Sequence, residues 1–392
     1  MVAMPAPIHG RPRRRVVITG VGTVNALACG GRTALAGALA QERSGIRPLI
    51  GVPVDGCPSR LGAQVDEAQL AGLVDADAAR RLSRICRLTV VACRLAVADA
   101  GVAGGPGLAI VVGSEHGDFR SSEAFADGYL RRGPAGLSPM IFPNTVMNTM
   151  ASVAAIEVGA QAPSVTINQA TVVGDLAVAR AASLVAGGAA DAAVAGGVDE
   201  ICEIVYRQLS GLRALSPMGG RGSEGCRPFD RDHNGPVLGE GATFLVLESL
   251  EAAERRGAPI VAEVAEVAWG NVPVPPHRAR TARADAGSPV QRLLVSHAAA
   301  GPGFRRCSGA GNGDPDLDDW ERALLARDLA GMAGELVPPR TLAPSFGQHG
   351  GLGALRVAAA ALDAAAGVAP VLVHGIARGG CRTALVIAAV SR

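Results

Sequence analysis

The chain contains no lysine; all 37 basic residues among its 392 are arginine. That excludes Schiff-base chemistry and any mechanism built on a lysine amine. Aromatic residues make up only 3%, so Ala, Gly and Val must fill the interior, which suits helices packed closely on sheets. The eight cysteines (Cys29, Cys57, Cys86, Cys93, Cys202, Cys226, Cys307 and Cys381) are scattered without a C-x-x-C pair. They read as buried or incidental thiols in a reducing cytoplasm, not as a disulfide or zinc framework. No apolar run reaches the length of a membrane span. The opening MVAMPAPIHGRPRRR has no apolar segment before the first strand, so it does not read as a signal peptide. A net charge of +2, spread along the chain, gives no reason to expect nucleic acid or an acidic membrane surface. With 48% hydrophobic and 18% charged residues, the expectation is a soluble, cytoplasmic, globular protein with a sizeable core.

The stretch 164–197, SVTINQATVVGDLAVARAASLVAGGAADAAVAGG, organises the rest. It reads as a short buried strand over 164–168, a sharp turn over 169–173, a helix over about 174–186 and a second strand entering Gly196-Gly197. The helix is apolar on most faces, with Asp175, Arg180 and Ser183 as its polar exceptions, so most of its faces are buried. Gly187 and Gly188 are expected to supply a left-handed cap. A strand, tight turn and buried helix can aim one side chain into a cleft with the helix N–H groups behind it.

This stretch resembles the nucleophile region of the β-ketoacyl synthases, the thiolase-fold condensing enzymes of fatty acid and polyketide synthesis. In that family the turn carries the catalytic cysteine, with a glycine three residues later and an AD…AGG strand beyond the helix. An ungapped match puts Gly174 on that glycine and Asp191 and Ala195-Gly196-Gly197 on the closing strand. Thr171 then stands at the cysteine position.

Other segments fall in the family's order. RVVITG at 15–20 is similar to its first strand, and SPMIFPNTVMNTMASVAAIEVGAQAPS at 138–164 to the segment running into the nucleophile strand. GLRALSPM at 211–218 leads to RPFDRDHNGPVLGEGA at 227–242, which resembles the family's RPFD…GEGA and is the most specific motif in the chain. Helices are expected over 33–42 and 78–98, and a strand over 108–113. The region 268–308 is degenerate in Pro, Gly and Arg, with 272–287 a loop by composition. The resemblance implies an α/β thiolase-like fold of two pseudo-duplicated βαβαβ halves in a five-layered αβαβα body, with residues 1–225 and 226–392 forming one compact unit.

A decarboxylative condensation needs a thiolate, two neutral imidazoles and backbone N–H groups facing the thioester oxyanion. At the first histidine position the HGTGTP motif reads AGNGDP over 310–315, with Ala310 in place of the imidazole and Asn312 and Asp314 in place of the threonines. At the second, PSFGQH over 344–349 keeps Ser345 and His349 but has Pro344 where the lysine belongs. His297 reads as an incidental loop histidine. The glycine-rich turn near the C-terminus reads HGIARGGCR over 374–382, with Ile376 and Arg378 where phenylalanines are usual. Cys381 follows as the only thiol expected near the cleft. Thr171, Ala310 and His349 are thus degenerate site positions, and none is expected to be catalytic.

A ketosynthase scaffold without its nucleophile is similar to the chain-length factor, or ketosynthase β-subunit, of type II polyketide synthases. That resemblance implies a heterodimer with an active ketosynthase α-subunit, an acyl tunnel at the interface, and substrates carried on the phosphopantetheine arm of an acyl carrier protein. No other cofactor and no metal is implied. Phe119, Ser122, Phe125, Met140 and Phe142 are the candidates for tunnel floor and interface. The helix over 114–132 also reads as an ordinary surface helix with a few packed aromatics. Two rival functions stay open: an acyltransferase, hydrolase or decarboxylase using Thr171, His349 or Cys381, and a non-enzymatic scaffold homodimer.

Overall fold

Short runs of Val, Ile, Leu and Ala, each ended by a glycine or a turn, build two sheets with helices between and outside them. A computed structural model describes residues 13–220, 222–275, 288–297, 303–332 and 336–391. The first part of the chain runs β1 (Val16–Asn25), β2 (Cys29–Gly30), α1 (Arg32–Ala40), β3 (Ile46–Pro48), β4 (Leu61–Ala63), α2 (Glu67–Ala71), α3 (Ala76–Arg81), α4 (Arg84–Ala100), β5 (Leu108–Ser114), α5 (Phe119–Arg132), α6 (Thr149–Val158), β6 (Ser164–Asn168), α7 (Val173–Ala186), β7 (Ala192–Asp199), α8 (Glu203–Gly211), β8 (Gly241–Ser249) and α9 (Leu250–Arg255). It continues with β9 (Ala262–Asn271), α10 (Pro289–His297), β10 (Arg306–Ser308), α11 (Pro315–Asp328), α12 (Ala343–Phe346), α13 (Leu352–Ala365), β11 (Val371–Ile376) and β12 (Cys381–Ala388).

The main strands follow one hydrogen-bonded path, β10-β11-β12-β9-β1-β8-β7-β5-β6. β1 pairs along its length with β8 but touches β9 only at Val17 and Ile18. The path therefore divides at that corner into two sheets, β6-β5-β7-β8-β1 and β10-β11-β12-β9. Each has a parallel core and an antiparallel return strand, β8 against β7 and β12 against β11. A single parallel bridge, Ser308 to Arg340, takes the place in the second sheet that β6 holds in the first. β8 lies past residue 225 yet pairs on both sides with strands of the first sheet, so the halves interlock across that residue.

Side-chain alternation sorts the core into layers. Ala109 and Val111 of β5 face a central cluster with α7, α13, Val371 and Val373, while Leu108, Ile110 and Val112 face α4 and α6. Beyond the second sheet, Leu372, Ala384 and Val386 pack on Val290, Leu293, Leu325 and Leu329 of the outer helices and their ends. The order is α4/α6, sheet, α7/α13, sheet, α10/α11, the five-layered αβαβα thiolase fold. Both sheets are covered on both faces, which is why strands such as LAIVVGS are apolar throughout instead of alternating.

The two central helices meet at glycines. A Cβ on Gly174 would lie 2.6 Å from the Ala354 backbone N and 2.7 Å from the Gly350 carbonyl O, so only glycine allows α7 to approach α13. Several local expectations change. The helix expected over 78–98 is two, broken at Leu82 and Ser83, with Ser83 extended at φ −62° and ψ 164° as the N-cap of α4. Of the Gly187-Gly188 pair only Gly188 is left-handed (φ +73°); Gly187 remains helical at φ −82°. The strand over 164–168 is not buried. β6 is the last strand of its sheet, paired on one side only, and its residues are exposed or half-buried. His297 ends α10 and is not in a loop. The loop expected over 272–287 falls mostly outside the described residues, although β9 runs ordered to Asn271 in register with Cys381. Among the described residues no helix is long and apolar enough to cross a membrane.

Candidate functional site

The parallel strands β5, β6 and β7 end at one edge, and the segments leaving them form a cleft, as ligand sites do in parallel sheets. Asp199, at the end of β7, ties this edge together. Its carboxylate accepts from Ser114 Oγ at 2.7 Å, from the His116 N–H at 3.0 Å, from the Glu115 N–H at 3.2 Å and from the Gly350 N–H at 2.7 Å. That pins the exit of β5 to the loop carrying His349.

Between β6 and α7 the chain turns sharply at Thr171, which is buried and left-handed, with φ +61°. Such a conformation is unfavourable for a β-branched residue and is held only where the surroundings dictate it. The turn of a nucleophile is therefore present with a hydroxyl at its tip. Among the described residues no hydrogen bond joins that hydroxyl to a base. The Thr171 N–H donates to Glu115 Oε2 at 3.0 Å. Glu115 has no counterpart in the sequence expectations; its place just beyond β5 was the one available signal. Burial and then Asp199 push its carboxyl above the ordinary range, against the pull of His116 and of the Thr171 N–H.

His349 is 3% exposed. Its Nδ1 accepts from the Gly351 N–H at 3.1 Å, which puts the ring proton on Nε2. Nε2 has no hydrogen bond of normal geometry, although the Gly241 backbone lies close to the ring. Burial lowers the imidazole to about 4, with Asp199 pulling it back up. At neutral pH His349 is thus a neutral donor inside the cleft.

Ala310 is buried, and its N–H donates to Glu321 Oε1 at 2.9 Å. The same oxygen meets His374 Nδ1 at 2.6 Å. Asp318, one turn earlier on α11, accepts from the N–H groups of Phe229, Asn312 and Gly313 at 2.9, 3.0 and 3.2 Å. Burial pushes its carboxyl up to about 6. Two acidic residues of α11 therefore hold the 310–315 turn and dock it on the RPFD segment, where a Cβ on Gly311 would strike the Phe229 ring at 2.5 Å. Asp314, where the family has a threonine, forms a two-pronged ion pair with Arg378, with Nε and Nη2 each 2.5 Å from a carboxylate oxygen.

Asp199, Thr171, Glu115, His349, Asp314 and Arg378 line one cavity of about 180 Å³, open on one side. Thr171, Glu115, His116, Asn312, Asp314, Gln348, His349 and Arg378 form its polar wall, and Ile201, Val205, Leu209, Leu215 and Leu238 its apolar wall. The structure thus brings Thr171 and His349 together and leaves Ala310 outside the cavity lining. Cys381 also lies outside it, on β12, and the thiol that does line it is Cys202. Burial pushes Cys202 up to about 11, so it carries no useful thiolate at neutral pH. Among the described residues no group of His, Cys, Asp and Glu is arranged to hold a metal ion.

None of the proposed interface residues lines this cavity. α5 has no buried residue along its 14 positions. Phe119 is 40%, Met140 85% and Phe142 56% exposed, while Ser122 and Phe125 are half-buried. Phe125 and Phe142 stack at 5.8 Å between ring centroids.

Comparison with known proteins places this geometry. The family described as "Beta-ketoacyl synthase, N-terminal domain" matches residues 13–253. The "3-oxoacyl-[acyl-carrier-protein] synthase 2" of Coxiella burnetii is 30% identical over 258 residues, which is 64% of this chain and 62% of the relative. The match therefore spans less than two thirds of that relative's length. The solved structure called "The ishigamide ketosynthase/chain length factor" superposes with a TM-score of 0.84 at 26% identity, covering 97% of this chain and all of the other. A "type II PKS acyl-carrier protein in complex with its ketosynthase bound to the hexaketide" shares the fold at a TM-score of 0.79 and 20% identity, covering 97% of this chain and 100% of that one. By its domain match, its thiolase-fold layers and the left-handed turn at the head of α7, the chain belongs to the β-ketoacyl synthase family.

Proposed function

We propose that this chain is a catalytically silent ketosynthase-like subunit, a chain-length factor, that pairs with an active ketosynthase and shapes the acyl tunnel between them. The observation that carries the reading is the Thr171 turn. The strained backbone of a nucleophile elbow is kept at φ +61°, around a side chain that cannot supply a thiolate at neutral pH. The likeness at 26% identity to a ketosynthase/chain length factor agrees with it.

The heterodimer is supported by surface chemistry. Leu130, Met140, Phe142 and Ile156 are 81%, 85%, 56% and 82% exposed, large apolar side chains that a partner surface would cover. Among the described residues β6 is paired on one side only, which leaves an edge open to a partner strand. In this reading the partner supplies the reactive cysteine and both histidines, and an acyl carrier protein brings the substrates.

An enzyme of altered chemistry has less behind it, because among the described residues no base is bonded to the Thr171 hydroxyl and Cys381 lies outside the cavity. Co-expression with a cysteine-bearing ketosynthase tests the proposal. It requires a 1:1 complex that condenses malonyl units only when both chains are present.

A further inference from the structure

The missing cysteine is not the only feature of this cleft that bears on catalysis, and two others act directly on the space an acyl thioester would need. The first is at the head of α7. Thr171 lines the cavity two residues before α7 begins, where a backbone N–H would favour a developing negative charge. The Thr171 N–H is already taken by Glu115 Oε2 at 3.0 Å. Glu115 is not a mobile side chain that happens to reach there. Its own N–H and that of His116 are fixed by Asp199, and Asn168 Nδ2 donates to the Ser114 and Glu115 carbonyls at 2.9 and 2.8 Å. The backbone that carries the carboxylate is thus held from both neighbouring strands.

The second is where Asp314 meets Arg378. Asp314 and Arg378 stand on two different loops and are joined by two contacts of 2.5 Å, with Asp316 a further 3.7 Å from the same guanidinium. Both residues line the cavity. A bidentate pair of this kind is both stronger and more directional than a single contact.

We infer that this cleft is locked by its own side chains: Glu115 stands in for a substrate oxygen at the Thr171 N–H, and the Asp314–Arg378 pair clamps the loops that border the entrance. Silence is then built in at three places, and restoring the nucleophile alone does not reopen the site. The inference concerns the site discussed above but does not rest on any partner subunit, and its test uses this chain alone.

The test is acylation of a cysteine placed at the turn. In Thr171→Cys, a thiolate at position 171 would attack the carbonyl carbon of hexanoyl-N-acetylcysteamine. A new C–S bond forms, the old one breaks, and N-acetylcysteamine leaves as its thiolate and takes a proton. Intact-mass spectrometry follows the adduct, with Glu115→Ala alone as the control for the eight native cysteines. Thr171→Cys should acylate slowly, Thr171→Cys with Glu115→Ala at least about tenfold faster, and addition of Arg378→Ala faster again. Equal rates in the single and double variants would overturn the inference. A second readout needs no cysteine. Amide hydrogen exchange over the 170–173 turn should accelerate in Glu115→Ala, and unchanged exchange there would also overturn it.

Discussion

Asp175 Oδ2 of α7 and Arg356 Nη2 of α13 lie 2.6 Å apart, with both side chains almost wholly buried between the two sheets. The pair joins the central helices of the two halves. Among the described residues it leaves Asp175 Oδ1 and Arg356 Nε without hydrogen bonds. Removing one partner strands the other charge in the core. Asp175→Ala should therefore cost about 3–5 kcal/mol, whereas a double replacement by leucines of similar bulk should cost much less. Urea unfolding of the two variants measures the difference.

Gly174 tests the same helix contact by shape. A methyl group there meets backbone atoms of Gly350 and Ala354 at 2.7 and 2.6 Å, and neither is the movable end of a side chain. Gly174→Ala should destabilise by about 1–3 kcal/mol despite the better helix propensity of alanine. A rise in Tm would contradict the packing described.

His349 makes acid stability diagnostic. It titrates at about 4 in the folded chain, against about 6.5 for an exposed imidazole. The unfolded chain thus takes up a proton that the folded chain refuses. Stability is lost as pH falls from about 6.5 toward 4, by about 3 kcal/mol in all, and the loss levels off below that. Glu200 acts oppositely: burial pushes it up to about 7, so its contribution is held at low pH and lost as pH rises through 7. The informative quantity is the difference between variants. His349→Leu should flatten the loss between pH 6.5 and 4 in urea titrations, and an unaltered pH dependence would contradict a neutral buried imidazole.

Phe119 and Phe125 carry the tunnel prediction. Phe125 stacks on Phe142, and Phe119 meets the ring of His116, a cavity-lining residue, edge-on at 6.3 Å. Replacing either phenylalanine by alanine should lengthen the products made with a partner ketosynthase. Unchanged product length from an intact complex would count against these residues as the tunnel floor.

Much of this was legible in the chain because the family's motifs carry backbone requirements. RPFD…GEGA, the Gly174 position and the AGG strand each mark a place where glycine or a fixed turn is needed, and each falls where expected. The exposure of β6 is not legible in SVTIN, because a short apolar run does not distinguish an edge strand from a central one. The break at Ser83 was missed because helical periodicity runs on through a cap. Glu115, Asp318 and Glu321 could not be found by spacing. Their roles depend on which backbone N–H groups tertiary contacts bring within reach, and a lone acidic residue after a strand has no signature of its own. Cys381 follows the glycine-rich turn in sequence, but the turn at Gly379-Gly380 carries it back into β12, paired with Asn271 and outside the cavity lining.

The most direct test of the central claim is native mass and condensation activity of this chain, tagged, expressed alone and beside a cysteine-bearing ketosynthase. The account predicts a 1:1 complex that extends malonyl units only when both chains are present. A stable homodimer that ignores the synthase, or condensation by this chain alone, would contradict it.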